Sequence, residues 1–177
     1  MKRTIYLATS LDGYIAKKDG DIAWLNDFPN PEKSDFGFSE FLATQDAIVM
    51  GHKTFETVVS FKDWIYPIPV FILSTSLTSI PQDLQEKNIQ ILQCSPEEVL
   101  AKLKEREYEN VYIDGGQTIQ QFLKRDLIDE MIITKVPLLL GAGIPLFSEL
   151  SLPLPFEHLI TKVFSNGLVK SHYQRIR

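Results

Sequence analysis

Short apolar runs rich in β-branched residues alternate along this chain with segments in which apolar residues recur at helical spacing. The runs predict strands, and they lie at 4–9, 47–50, 70–73, 89–92, 111–113 and 131–136. The helical segments lie at 34–42, 54–59, 95–103 and 116–123. Strands that alternate with helices in this way predict an α/β fold, with a mainly parallel sheet and helices on both of its faces.

Local signals mark several ends of these segments. Ser95-Pro96-Glu97-Glu98 predicts a helix start, because a serine cap, a proline in the first turn and two acids all suit the positive end of the helix dipole. Ser34 is the expected cap of the helix that carries Phe38 and Phe41. Residues 10–30 contain three glycine and proline breakers and predict a long loop.

The C-terminal part predicts a hairpin, with strands at 157–164 and 168–176 joined by Asn166-Gly167. Asn-Gly favours a type I′ turn because both residues tolerate positive φ. A hairpin that closes a parallel sheet makes the sheet mixed at one edge. We therefore expect a mixed, mostly parallel sheet that ends in an antiparallel hairpin.

Composition narrows the classes of function. The 177 residues are enough for about one domain, and we expect a single domain over 1–177. The net charge of −5 disfavours generic binding to nucleic acid. The single cysteine, Cys94, and three histidines without metal-ligand spacing lead us to expect no metal. No apolar stretch approaches the roughly 20 residues of a membrane span, and no signal peptide is evident, so we expect a soluble cytoplasmic protein.

Three strand-to-helix junctions carry the residues best suited to bind a ligand. Ile48-Val49-Met50-Gly51-His52-Lys53-Thr54 ends a strand on a glycine and starts a helix, whose N–H groups and dipole favour a phosphate. Tyr112-Ile113-Asp114-Gly115-Gly116-Gln117-Thr118 places two glycines after a buried strand. Phe71-Ile72-Leu73-Ser74-Thr75-Ser76 clusters hydroxyls at a strand end. Each junction alone also fits an ordinary capped or glycine-rich turn. Since parallel strand ends converge on one edge of a sheet, a single dinucleotide can touch all three.

Three further features each leave two interpretations open. Asp35 lies at a helix start, where an acid is most often only a dipole partner; a catalytic acid there would be partly buried, with a raised pKa. Trp24 is either the anchor of a lid or a core aromatic. The loop at 136–147, with two prolines and two glycines after the strand, lies either beside a ligand or in a dimer contact.

Taken in order, these segments resemble the dihydrofolate reductase superfamily. The resemblance is closest to the branch that includes the C-terminal reductase domain of bacterial bifunctional riboflavin-biosynthesis deaminase–reductases. It is carried by Ser10-Leu11-Asp12-Gly13-Tyr14-Ile15-Ala16, by the three junctions and by the loop at 136–147, and it spans nearly the whole chain. It implies a three-layer α/β/α sandwich and NADPH as the cofactor, with NADH not excluded.

The resemblance also implies roles for individual residues. Asp35 falls at the position of the active-site acid, and Thr134 falls at the position of a threonine that hydrogen-bonds this acid and the substrate. Trp24 would sit in a mobile loop beside the nicotinamide. The cofactor would contact Gly51, Lys53, Thr54, Ser74, Thr75, Gly115, Gly116 and Gln117.

The chain departs from dihydrofolate reductases where they carry a substrate-binding arginine. The corresponding stretch is Tyr66-Pro67-Ile68-Pro69-Val70, without a bidentate carboxylate clamp, so folate is not the expected substrate. His52 and Gln117 stand at two positions near the cofactor's adenosine phosphate where the family carries arginine, which leaves Lys53 as the obvious cation. No deaminase zinc motif is present, so the resemblance covers only the reductase half.

The resemblance and the three junctions together imply a homodimeric, nicotinamide-dependent reductase that resembles 5-amino-6-(5-phosphoribosylamino)uracil reductase. It would pass a hydride to a C=O or C=N carbon of a small-molecule substrate. A reductase of another pteridine or small carbonyl compound is the alternative among enzymes. A non-catalytic nucleotide- or flavin-binding protein on the same fold is the alternative outside them. Residues 137–156 are the expected part of a two-fold dimer interface.

Overall fold

The computed structural model describes residues 1–61 and 63–177. Its strands are β1 (Lys2–Ser10), β2 (Tyr14–Ala16), β3 (Ala47–Gly51), β4 (Val70–Leu73), β5 (Ile89–Leu92), β6 (Asn110–Asp114), β7 (Glu130–Val136), β8 (Ile144–Pro145), β9 (Phe156–Val163) and β10 (Val169–Arg175). Its α-helices are α1 (Ala23–Asn26), α2 (Phe38–Leu42), α3 (His52–Val59), α4 (Pro96–Glu105) and α5 (Gly116–Leu123). A short 3₁₀ turn covers Gln82–Leu84.

Eight strands form one sheet in the order β5-β4-β3-β6-β1-β7-β10-β9. The first six strands of this order pair in parallel. Strands β10 and β9 pair antiparallel at one edge. The predicted fold class, an α/β fold on a mixed, mostly parallel sheet closed by a hairpin, is therefore confirmed.

The strands form where the sequence is apolar because both faces of the sheet are covered. On one face, α4 and α5 contribute Val99, Leu103, Ile119 and Phe122 to the core, and all four are fully buried. On the other face, α2 and α3 contribute Phe41, Leu42, Phe55 and Val58. Burying several such side chains stabilises the fold by about 1.5–3 kcal/mol each. This layering is the predicted three-layer arrangement.

The helix ends agree with the sequence in one case and differ in two. The Ser95 hydroxyl accepts a hydrogen bond from the Glu98 backbone N–H, and the Glu98 carboxylate accepts one from the Ser95 N–H, so α4 begins with a complete capping box. Helix α3 begins at His52 rather than at Thr54. Ser34 does not cap α2, because its hydroxyl accepts from the Phe36 N–H inside the preceding turn.

The predicted loop at 10–30 and the predicted hairpin turn both differ from what the sequence suggests. Residues 10–30 hold β2 and α1, and β2 pairs antiparallel with β8. At the tip of the hairpin, Gly167 has φ of 87° while Asn166 does not have positive φ, so the predicted type I′ turn is wrong. The Gly167 N–H instead donates to the Phe164 carbonyl at 2.9 Å, which is a longer loop closed by a glycine in the left-handed region.

Among the described residues, no helix has the length and apolar character needed to cross a membrane. In the same part of the chain, no three His, Cys, Asp or Glu side chains come together as a group that could hold a metal ion.

Candidate active site

The carboxyl ends of the parallel strands bring the three junctions together at one edge of the sheet. Gly51 at the end of β3 is in register with Leu73 on β4, and Met50 is in register with Asp114 on β6. Residues 51–54, 74–76 and 114–118 therefore follow neighbouring strands. We call this group the strand-end site. The prediction that these junctions share one edge is confirmed by the register.

Two glycines let the starts of α3 and α5 approach each other closely. A Cβ on Gly115, which has φ of 89°, would lie 2.0 Å from the Thr54 hydroxyl oxygen. A Cβ on Gly51 would lie 2.8 Å from the Thr118 hydroxyl oxygen. A side chain at either position would have to displace a threonine hydroxyl group, and the two contacts show that the two helices start side by side. Gly116 differs, because its missing Cβ makes room for Ile15 rather than for a ligand.

Among the residues that the structure describes, no side chain caps the first turn of α3 or of α5. Helix α4 follows β5 and so begins at the same edge of the sheet, yet it carries the complete Ser95 capping box. The unpaired N–H groups of an uncapped helix start, together with the helix dipole, bind anions well. Two such starts side by side form a site suited to the phosphates of a dinucleotide.

The loop after β4 joins this edge through hydroxyl groups. The Ser74 hydroxyl accepts hydrogen bonds from the Ser76 and Leu77 N–H groups, at 3.1 and 2.8 Å. The Ser76 hydroxyl lies 3.2 Å from Nδ1 of His52 on α3. Ser74 therefore shapes its own loop, and His52 and Ser76 link this loop to α3. The remaining cofactor candidates, Lys53, Thr75 and Gln117, are exposed at the same edge.

Asp35 does not have the properties expected of a buried catalytic acid. Its carboxylate is exposed and accepts hydrogen bonds from the Gly37 and Ser39 N–H groups, both at 2.9 Å. Hydrogen bonds from Ser39 and Gly37 lower the pKa of Asp35 to about 2. The expected raised pKa is therefore wrong: this carboxylate is ionised and caps the start of α2.

Thr134 is buried on β7, in register with Ala8 on one side and Lys170 on the other. None of the hydrogen bonds among the described residues joins Thr134 to Asp35. The turn before α2 explains the separation, because Phe36 and Gly37 both have positive φ and direct the Asp35 carboxylate back to the helix. The hydrogen bond between this threonine and the acid, implied by the resemblance, is absent from the described contacts.

Trp24 lies on α1 and is buried against Val136 and Leu168. Its indole N–H is buried without a hydrogen-bond partner in the described part of the chain. A buried N–H group without a partner costs about 1–3 kcal/mol. Strand β7 ends at this cluster with Val136, and Trp24 is a core aromatic in this structure, which is the second of its two interpretations.

Asp114 is an acid that the sequence did not single out. It ends β6 in the middle of the sheet, with its oxygens accepting from the Tyr66 hydroxyl at 3.1 Å and from the Gly115 N–H at 2.8 Å. Desolvation raises the pKa of Asp114 above its usual range, and burial together with the Asp114 carboxyl group raises the pKa of Tyr66. A carboxyl group that ends an otherwise apolar strand was the available signal. Asp114 has the raised pKa that was expected of Asp35.

The loop at 136–147 packs on the first loop. The Asp12 carboxylate accepts hydrogen bonds from the Gly141 N–H at 2.8 Å and from the Ser10 hydroxyl at 2.6 Å. The Leu11 N–H donates to the Leu138 carbonyl at 2.8 Å. Since β1 and β7 end here, this loop adjoins the strand-end site, and both of its interpretations stay predictions.

The chain is similar to proteins of one family over almost its full length. Residues 2–170 match the family model described as the RibD C-terminal domain. The chain is 36% identical over 179 residues to the uncharacterized protein YwjB of Bacillus subtilis (strain 168), with 98% of each chain covered. It matches the crystal structure of a protein from Shewanella sp. PV-4 that is named for riboflavin biosynthesis, at TM-score 0.94 and 44% identity over 100% of both chains. A dihydrofolate reductase from Enterococcus faecalis, at TM-score 0.67 and 18% identity over 99% of this chain and 97% of that one, has the same fold.

Proposed function

The chain belongs to the RibD C-terminal domain family, and we propose that it is an NADPH-dependent reductase whose substrate class is that of 5-amino-6-(5-phosphoribosylamino)uracil reductase. The observation that carries the proposal is the pair of uncapped helix starts that meet at the sheet edge beside Asp114. The family supplies the reaction class, and the edge supplies groups that suit a dinucleotide and a proton transfer.

The described residues fit a nicotinamide dinucleotide. The N–H groups of residues 52–54 and 116–118 would hold its phosphates, because no side chain in the described part of the chain caps them. Lys53, exposed beside them, would add a positive charge. The buried indole N–H of Trp24 would gain a partner from a polar group of the ligand. When bound, the cofactor supplies the hydride.

Asp114 would supply the proton. Because its pKa is raised, Asp114 keeps its proton to a higher pH than an ordinary aspartic acid does. The protonated carboxyl group can therefore act as a general acid. The Tyr66 hydroxyl and the Gly115 N–H fix the orientation of the carboxyl group. Tyr66 is buried in the stretch where dihydrofolate reductases carry their arginine, so this site orients an acid instead of binding a carboxylate.

Asp114→Asn tests the acid directly, since it keeps the size of the side chain and removes its ionisation. Turnover of NADPH with the pathway substrate should fall about a hundredfold, while the affinity for NADPH changes little. Asp35→Asn is the matched control, because that carboxylate is exposed and should leave turnover unchanged. Turnover that survives Asp114→Asn, or falls only with Asp35→Asn, would contradict the assignment of the proton donor.

Calorimetric titration of the protein with NADPH, NADH and FMN distinguishes the reductase from its alternatives. NADPH binding followed by oxidation with the pathway substrate supports the proposed reaction. Binding of FMN in preference to either nicotinamide nucleotide would contradict it and favour the non-catalytic alternative on the same fold.

A further inference from the structure

A cavity of about 430 Å³ lies between the outer side of α2 and strands β1, β7, β10 and β9. We call it the α2–hairpin cavity; Thr4, Tyr6, Gln45, Ile132, Lys162 and Lys170 are among the residues that line it. None of its lining residues belongs to the strand-end site. Thr4 lies six residues before the end of β1, which is about 20 Å along the strand. The volume is within the range of sites that bind small molecules.

Two lysines at one end of this cavity form an unfavourable pair. Lys162 and Lys170 are directly opposite each other on β9 and β10. Their ammonium nitrogens lie 5.0 and 5.6 Å from the centre of the same ring, that of Phe164. Like charges at opposite positions of a sheet are destabilising. Within the described chain, neither ammonium group has a carboxylate within ion-pair distance, so the sheet retains a repulsion that an anion between them would relieve.

The carboxylates of the cavity do not neutralise this pair. Glu130 is already engaged, with Lys2 at 3.5 Å and with His172 at 3.1 Å. Glu40, exposed at the rim on α2, and Asp35 both attract the Lys170 ammonium group, but among the described residues neither carboxylate comes within ion-pair distance of it. Lys170 donates a hydrogen bond to the Phe36 carbonyl at 2.6 Å, which is a neutral acceptor. The end of the cavity that holds the two lysines is therefore positive.

Two buried polar groups beside the same cavity also lack partners. The Thr4 side chain, 1% exposed, has a hydroxyl with no hydrogen bond, and Gln45, 6% exposed, has a side-chain oxygen with none, among the residues that the structure describes. Buried polar groups almost always have a partner in folded proteins. One donor and one acceptor that both line a cavity indicate a polar ligand.

The floor of the cavity is apolar and aromatic. The Tyr6 and Phe41 rings stack at 4.7 Å, and Ile132 lies beside them. An aromatic ring on this floor, with an anionic group at the lysine end, would satisfy both parts of the site. A phosphate monoester carries nearly two negative charges near neutral pH, which matches two ammonium groups better than a carboxylate does.

We propose that the α2–hairpin cavity binds an aromatic phosphomonoester, with the phosphate between Lys162 and Lys170 and the ring against the floor formed by Tyr6, Phe41 and Ile132. This site is separate from the strand-end site, and only the NADP⁺ comparison in its test rests on the proposed function.

The test is calorimetric titration of the intact protein with phenyl phosphate at low salt. We expect a dissociation constant near or below about 1 mM, unchanged when NADP⁺ saturates the strand-end site. Inorganic phosphate and benzoate should bind more weakly, because one lacks the ring and the other carries a single charge. The proposal is overturned if phenyl phosphate shows no binding below about 10 mM. It is also overturned if phenyl phosphate binds no better than benzoate or phosphate, or if NADP⁺ displaces it.

Two substitutions locate the site. Lys162→Ala, at an exposed side chain, should weaken phenyl phosphate binding about tenfold, equal to about 1.4 kcal/mol. The control Lys104→Ala, at an exposed position of α4, should not change it. Thr4→Val should raise Tm, because it removes a buried hydroxyl without a partner, and should weaken binding. Equal effects of Lys162→Ala and Lys104→Ala, or a Thr4→Val variant with lower Tm and unchanged binding, would contradict the assignment.

Discussion

Gly115→Ala tests the close approach of α3 and α5 at the strand-end site. Gly115 has φ of 89° and ψ of 136°, a combination that other residues adopt only with strain, at a cost of about 1–3 kcal/mol. The new methyl group would also lie 2.0 Å from the Thr54 hydroxyl oxygen and 3.1 Å from its Cβ. Displacing that side chain adds about 1–3 kcal/mol. The free energy of unfolding should therefore fall by about 2–6 kcal/mol.

Urea unfolding followed by circular dichroism measures this loss. Gly20→Ala is the matched control, because Gly20 has φ of 90° with no atom within 4 Å of the new Cβ, so only the backbone cost of about 1–2 kcal/mol applies. Thr54→Ala should then recover about 1–3 kcal/mol in the Gly115→Ala background. A loss no larger than that of Gly20→Ala, or no coupling with Thr54→Ala, would refute the packing of these two helix starts.

Three further predictions concern the helix starts. Asp35→Ala should lower the free energy of unfolding by about 1 kcal/mol near neutral pH, because it removes a cap. Folding lowers the pKa of Asp35 from 3.8 to about 2, so the stabilisation by this cap is fully present above pH 3.8 and is lost as the pH falls through about 2. Thermal melts of the two proteins should therefore converge in acid, and a difference that persists at low pH would contradict the cap. Ser95→Ala should lower the free energy of unfolding, measured with urea, by about 1 kcal/mol and leave the affinity for NADPH unchanged. A changed affinity would place α4 in the cofactor site. Lys53→Ala should weaken NADPH binding about tenfold in calorimetry and leave NADH unchanged, and equal losses for both would show that Lys53 does not contact the extra phosphate.

Much of the fold could be predicted because its signals are local. Buried runs such as 47–50 and 70–73 are apolar on both faces, and the resulting strands β3 and β4 have almost the predicted bounds. The capping box at Ser95 needs only four consecutive residues, so the sequence contains all of it. The hairpin turn depends on the backbone of both strands as well, and there the Asn166-Gly167 signal did not determine the turn type.

The two acids show why site residues are harder to predict. Counting back from Gly51 gives Asp35 a position in the chain but not the direction of its carboxylate, which the turn through Phe36 and Gly37 sets. Asp114 gains its raised pKa from desolvation, and the hydroxyl that orients it comes from Tyr66, 48 residues away in the chain. A contact between residues so far apart in the chain cannot be predicted from the spacing of residues in a motif. In addition, the two glycines after Asp114 make this segment resemble a phosphate-binding turn, which drew the prediction to the glycines rather than to the acid.

Amide hydrogen exchange with and without NADPH tests the central claim most directly, because it reports which backbone N–H groups the cofactor covers. Exchange at residues 52–54 and 116–118 should slow when NADPH is added, since these helix starts lack side-chain caps. Exchange at residues 96–98 should not change, because α4 already has its capping box. Unchanged exchange at both uncapped starts, or slowing confined to other parts of the sheet, would contradict the placement of the cofactor at this edge.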